Sequence, residues 1–199
     1  MTEKKENTPK IINQGVSVTN IVLVGLFAAI IYVGIQLFRI PLPAAVGTPF
    51  IHFGNSLVVL AVLFLGFSKG AISGSIGLGV FDVLNGYASF VAITIIEVII
   101  VAFLVALVFN LLGRNDQKSV NITIVAIVAG VTKIVLSFLE GFILLLLQGS
   151  GIAAATTSSF ISLPAAIINS VSTIIIVRLL YRPIKKALTI FAEQNGAAY

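Results

Sequence analysis

Glu97, Lys133, Glu140 and Asn169 stand inside long apolar runs. A charge at the centre of a bilayer costs at least about 2.5–3.5 kcal/mol, so such groups face a cavity or a partner. His52, Asn55, Asp82, Asn85 and Tyr87 mark the ends of two further apolar runs, and Gln36 lies near the end of another. Carboxylates accept hydrogen bonds from hydroxyl and ring-nitrogen donors, and aromatic side chains stack on flat rings. This set therefore suits holding a small neutral or cationic heteroaromatic ring. All ten residues are taken as candidate substrate contacts, with Glu140 the foremost ligand. Other readings stay open. Glu97 and Lys133 can form a structural ion pair that borders the site. His52 and Asn55 can cap a helix, since Asn is a good N-cap, and Asp82 and Asn85 can finish one at the headgroups. A single His with no second ligand at metal spacing is a poor metal site. No H-E-x-x-H, G-x-S-x-G or G-x-x-x-x-G-K-[ST] occurs, so no catalytic residue, metal or cofactor is assigned.

The rest of the chain must place these groups in lipid. Hydrophobic residues make up 58% and charged residues 10%, and mean hydropathy is +1.14. A soluble domain carries about 25% charged residues, so residues 1–199 read as one integral, multi-pass membrane domain of all-α class. There is no cysteine, hence no disulfide framework or thiolate chemistry. The net charge of +5 fits cytoplasmic loops rich in Lys and Arg rather than a nucleic-acid partner.

Six helices are expected. Residues 1–15 form a polar cytoplasmic tail. Helix one is Thr19–Phe38, about the length a bilayer core needs. The loop Arg39–Ile51 carries Pro41, Pro43 and Pro49, which cannot continue a helix. The runs Ser56–Phe67 and Ala71–Leu84, split by Ser68-Lys69-Gly70, form a helical hairpin with both polar clusters at one end. The second run is rich in Gly, Ala and Ser, which let backbones approach closely in lipid. Helix four is Phe90–Leu112 and helix five Val120–Gln148. Gly149–Ser159 is a small, uncharged loop, helix six is Phe160–Tyr181, and 182–199 is a basic amphipathic tail.

With both termini in the cytoplasm, only Arg39 and Lys133 of the twelve basic residues fall outside the cytoplasmic segments, a strong positive-inside bias. The polar clusters then lie on the outer side. Glu97 and Glu140 sit about two turns, on the order of 10 Å, below it. Asn169 is near that level, and Lys133, seven residues before Glu140, is about 10 Å deeper on the same face. Several helices thus contribute to one outer polar layer.

The stretches L-F-R-I-P-L-P (Leu37–Pro43), I-H-F-G-N (Ile51–Asn55), and G-A-I-S-G-S-I-G with F-D-V-L-N-G-Y between Gly66 and Tyr87 resemble the substrate-binding S-components of energy-coupling factor transporters. Within them they resemble the subgroup associated with pyridoxine, hydroxymethylpyrimidine and other thiamine precursors. The resemblance implies a membrane coupling subunit (the T-component) and two cytoplasmic ATPases as partners, with ATP used by those partners. It implies a bacterial plasma-membrane protein that captures a vitamin outside and topples to release it inward. Members carry an alanine motif on helix one that docks the coupling subunit. Gly25 and Ala29 occupy the matching positions, with glycine departing from the pattern but keeping its small size. Ala28 and Gly34 are expected to widen this patch. An ion-coupled secondary transporter, with Glu97 or Glu140 as the proton site, is the alternative. A membrane scaffold would leave the outer polar layer without a use.

Overall fold

A computed structural model describes residues 18–41 and 50–194. The expected tail 1–15, residues 42–49 of the proline loop and residues 195–199 lie outside the described residues. Seven α-helices follow: α1 (Val18–Leu37), α2 (Gly54–Leu65), α3 (Phe67–Leu84), α4 (Val91–Leu111), α5 (Ser119–Leu147), α6 (Ile152–Ile161) and α7 (Leu163–Gln194). A 3-10 turn, Ala88–Phe90, leads into α4. The proline loop adds a small departure from an all-helical chain. Strands β1 (Ile40–Pro41) and β2 (Phe50–Ile51) pair antiparallel, Ile40 against Ile51 and Pro41 against Phe50.

The helix α2 is the centre. Every residue from Ser56 to Leu63 is buried, because α1, α3, α4 and α7 all pack against it. Around it runs the order α1, α3, α4, α5, α7. An apolar groove of about 360 Å³ remains between α1 and α7, lined by Ala29, Val33, Phe38, Leu57, Ile176 and Leu180 among others. Among the described residues four spans are long and apolar enough to cross a membrane: α1, Ala88–Leu111, α5 and α7. The other two expected spans are the hairpin helices. One of them, α2, has only 12 residues, while Lys69, Asp82 and the small residues of α3 dilute its apolar character.

The expected helix boundaries hold to within a residue or two for α1, α4 and α5, and three were misplaced. The hairpin breaks at Gly66, not at Ser68-Lys69-Gly70. Gly66 has φ 81, a left-handed value that glycine adopts without strain, and Lys69 lies in the first turn of α3. The stretch Gly149–Ser159 is largely helix α6 rather than a loop, since Ala153–Ala155 favour helix and Ala155 and Ser159 are buried. The last helix does not end at Tyr181. It passes through Pro183 to Gln194. Burial of Tyr181 and Ala192, packing of Ile184 and Leu188, and an ion pair between Lys185 and Asp116 outweigh the lost backbone donor. Pro164 sits in the first turn of α7, where proline is tolerated.

Small residues fasten α1 to α3. A Cβ on Gly77 would come within 2.7 Å of the Ala28 carbonyl oxygen and 2.8 Å of Ile31. Nearby, Ser73 Oγ donates to the Val24 carbonyl at 3.1 Å. Ala28 and Gly34 are therefore buried against neighbouring helices of this chain, Gly34 facing Leu57. Ala28 does not widen an outward patch, which corrects that expectation; Gly34, though packed on Leu57, lines the groove beside Ala29. Gly25 and Ala29 are exposed, and nothing lies within 4 Å of a Cβ on Gly25.

Candidate functional site

A cavity of about 490 Å³ opens at the end of the bundle where α2 begins and α3 ends. The volume falls within the range of small-molecule sites. Its wall gathers residues far apart in sequence: His52 and Asn55 at the start of α2, Asp82 on α3, Tyr87 beyond it, Glu97 on α4, Lys133 and Glu140 on α5, and Asn169 on α7. Gln36 and Asn85 are not in this wall. Gln36 is exposed, and Asn85 closes α3 by donating from Nδ2 to the Phe81 carbonyl at 2.9 Å.

The polar groups divide by what they already hold. Lys133 pairs with Glu97, so the ion pair exists and also borders the cavity. Only one Glu97 oxygen is engaged; Oε1 is buried with no hydrogen-bond partner. Asp82 accepts from the Thr94 hydroxyl at 2.6 Å. Glu140 has no hydrogen bond or ion pair among the described residues. On α6, Ser159 is 2% exposed, lines the cavity, and leaves Oγ without a partner. Buried polar atoms are nearly always satisfied, so two orphans in one wall point to a ligand or ordered water.

Asn169 holds a wall segment in place. Its Oδ1 accepts the His52 backbone N–H at 2.9 Å, and its Nδ2 donates to the Phe50 carbonyl at 2.9 Å. Its own backbone carbonyl accepts from Thr173 Oγ1 at 2.8 Å. The amide thus ties β2 and the start of α2 to α7, with a second N–H and a second lone pair left over. His52, one residue before the N-cap Phe53, takes up the first helical N–H: its Nδ1 accepts from Gly54 N–H at 3.1 Å, which makes the imidazole neutral with its proton on Nε2. Burial, and secondarily the Lys133 ammonium, hold its pKa down to about 3. Asn55 makes no such cap and faces the cavity.

The sequence reading missed part of the wall. Thr94, Ser137, Ser159, Ser170 and Thr173 line it, but small hydroxyls on membrane helices carry no distinguishing signal, since most bond back to their own helix. It also missed an aromatic cluster. Phe50, Phe81 and Tyr87 have ring centroids 5.8–6.1 Å apart, and the Arg39 guanidinium lies 5.6 Å from the Phe50 ring and 5.4 Å from the Phe81 ring. Phenylalanines scattered through an apolar chain give no hint of such convergence.

The arrangement can bind and orient a flat polar molecule. Among the described residues no group of three His, Cys, Asp or Glu is placed to hold a metal ion. No curated protein and no solved structure matches the chain. The family model described as ECF-type riboflavin transporter, S component, matches residues 15–186. With that match spanning most of its length, the chain belongs to the S-component family of energy-coupling factor transporters.

Proposed function

We propose that this chain captures a small heteroaromatic vitamin or vitamin precursor from outside the cell, with pyridoxine and hydroxymethylpyrimidine the foremost candidates. The observation that carries this reading is the single cavity in which groups from α2, α3, α4, α5 and α7 meet, with unsatisfied polar atoms in its wall. Six spans with both termini cytoplasmic put that cavity at the outer face, in keeping with the positive-inside bias. The described residues contain no nucleotide-binding fold, so uphill transport draws on two ATPases joined through a membrane coupling subunit. The exposed Gly25–Ala29 face of α1 and the neighbouring groove are the surface on which that subunit packs. The loaded protein then topples to release its ligand inward.

The test is to purify the chain from its native membrane and identify what comes with it. Mass spectrometry is expected to find pyridoxine or hydroxymethylpyrimidine, and pull-down to recover an ATPase pair. Riboflavin, the vitamin in the family's description, would replace the ligand and keep the role. Uptake driven by a proton gradient, with no ATPase recovered, would sink the role and leave an ion-coupled transporter.

A further inference from the structure

We infer that the cavity selects an organic cation, a ring that presents a protonated nitrogen to Glu140, and that it excludes phosphorylated forms of the same ring. This rests on the reading of the cavity as a vitamin site and names the charge class of its ligand.

The charges of the wall do not balance. Asp82, Glu97 and Glu140 face the cavity with Lys133 as the one cationic side chain among the described wall residues. Lys133 is spent on Glu97. Arg39 is not in the wall; it lies over the Phe50 and Phe81 rings. His52 is neutral, because its Nδ1 is already an acceptor for Gly54 N–H. Asp82 has a hydroxyl donor from Thr94 but no ion pair of its own, and Glu140 has neither a donor nor an ion pair among the described residues; the Lys133 ammonium, paired directly with Glu97, acts on both only at a distance. A carboxylate withdrawn from water is stable only with a counter-charge or as the neutral acid. A ligand carrying N–H⁺ supplies that counter-charge and a donor together.

The orphan atoms agree with this in kind. Glu97 is 9% exposed, and its buried Oε1 has spare acceptor capacity. Ser159 Oγ, also unpartnered, can accept from or donate to a ligand amino or hydroxymethyl group. An anionic phosphate would face three carboxylates across the cavity with its counter-charge already committed. Like charges brought together at an interface are strongly unfavourable.

The experiment titrates the full chain in nanodiscs by calorimetry. Its probes are pyridoxine, 4-amino-5-hydroxymethyl-2-methylpyrimidine, the analogue of the latter with both ring nitrogens replaced by CH, its monophosphate, and riboflavin. A hydrogen bond to a charged group sets the scale at roughly 10-fold or more. The pyrimidine is expected to bind at least 10-fold tighter than its all-carbon analogue and at least 100-fold tighter than its monophosphate. Glu140→Gln is expected to collapse the preference for the nitrogen ring while leaving the analogue's affinity within about 3-fold. The analogue comparison on the unaltered chain stands even where that variant fails to fold. Equal binding of analogue and pyrimidine, or of the monophosphate, overturns the inference. Tight riboflavin binding with no binding of the pyridine or pyrimidine overturns it too, while leaving the vitamin-site reading intact. Binding of none of the five overturns both.

Discussion

Replacing Asn169 with Ala removes a clasp on the cavity wall. The amide satisfies the His52 N–H and the Phe50 carbonyl at 2.9 Å each. Both belong to the segment that runs from β2 into α2 and forms the cavity wall. Asn169 is 8% exposed, so water does not readily replace the lost partner. A buried donor or acceptor left unsatisfied costs about 1–3 kcal/mol. The His52 N–H is buried and the Phe50 carbonyl only partly so, which places the sum at about 2–4 kcal/mol. At 1.4 kcal/mol per decade, the opening equilibrium of residues 50–56 rises by roughly 30- to 700-fold. Hydrogen exchange read by mass spectrometry should show this in a peptide covering 50–56, with little change in α4. Affinity for the cavity ligand should fall through faster dissociation, since the wall is less often closed. Unchanged exchange at 50–56 would refute the reasoning, and so would a ligand dissociation rate equal to that of the parent chain.

Three further outcomes are expected. Ala29→Trp places an indole in the apolar groove between α1 and α7; it should keep ligand binding in the isolated protein and abolish ATP-dependent uptake, whereas normal uptake would remove α1 from the coupling surface. Lys133→Met strips Glu97 of its counter-charge and should destabilise the protein by up to about 3–5 kcal/mol, with the double variant Glu97→Leu, Lys133→Met recovering much of that in thermal unfolding. His52 is held at about 3 by burial and then by Lys133. A histidine with a depressed folded-state pKa takes up its proton first in the unfolded chain, so stability should decline as pH falls from about 6.5 toward 3. Replacing His52 with Gln should flatten that decline in a melting series against pH.

Periodicity and apolar run length located α1, α4 and α5, because in lipid a span must satisfy its backbone internally and reveals itself by length. The misplaced boundaries have two causes. At Gly66 and Gly149–Ser159 the local sequence allows more than one break or conformation, and at Pro183 local chemistry and tertiary packing point different ways. The hairpin turn needed a positive φ that either Gly66 or Gly70 could have supplied, and both are glycines in one short stretch. Helix α7 runs on past a proline because residues beyond it are packed or paired, a fact that lies in Asp116, more than sixty residues upstream. The candidate site was legible as charges in apolar runs, since each such group needs a reason to be there. Its roles were not. Asn169 lines the cavity and also fastens its wall by two bonds to backbone, which no sequence pattern announces, and the orphaned hydroxyl of Ser159 is one serine among many.

The two faces of α1 would let the proposed capture and coupling share one helix. The inward face, with Phe27, Ala28 and Ile31 buried, is pressed onto α3 at Gly77 so closely that no Cβ fits between them. Five residues beyond Gly77, the same α3 carries Asp82 into the cavity wall. The outward face, Gly25 and Ala29, has open space before it. A partner packed on the outer face therefore grips a helix that is locked to one wall of the cavity. Sliding α1 along α3 would drive the Ala28 carbonyl and Ile31 against the neighbouring turns of α3, and Ser73 would lose its bond to the Val24 carbonyl. Close-packed interfaces of this kind shift as units rather than deform. A force applied at Ala29 would thus pass to α3 and the cavity together, as the proposed delivery by rotation of the whole subunit requires. A looser α1–α3 contact should uncouple the two: Gly77→Ala, which sets a methyl against the Ala28 carbonyl, is expected to lower transport more than it lowers ligand affinity. Equal losses in the two assays would show that the contact serves stability alone.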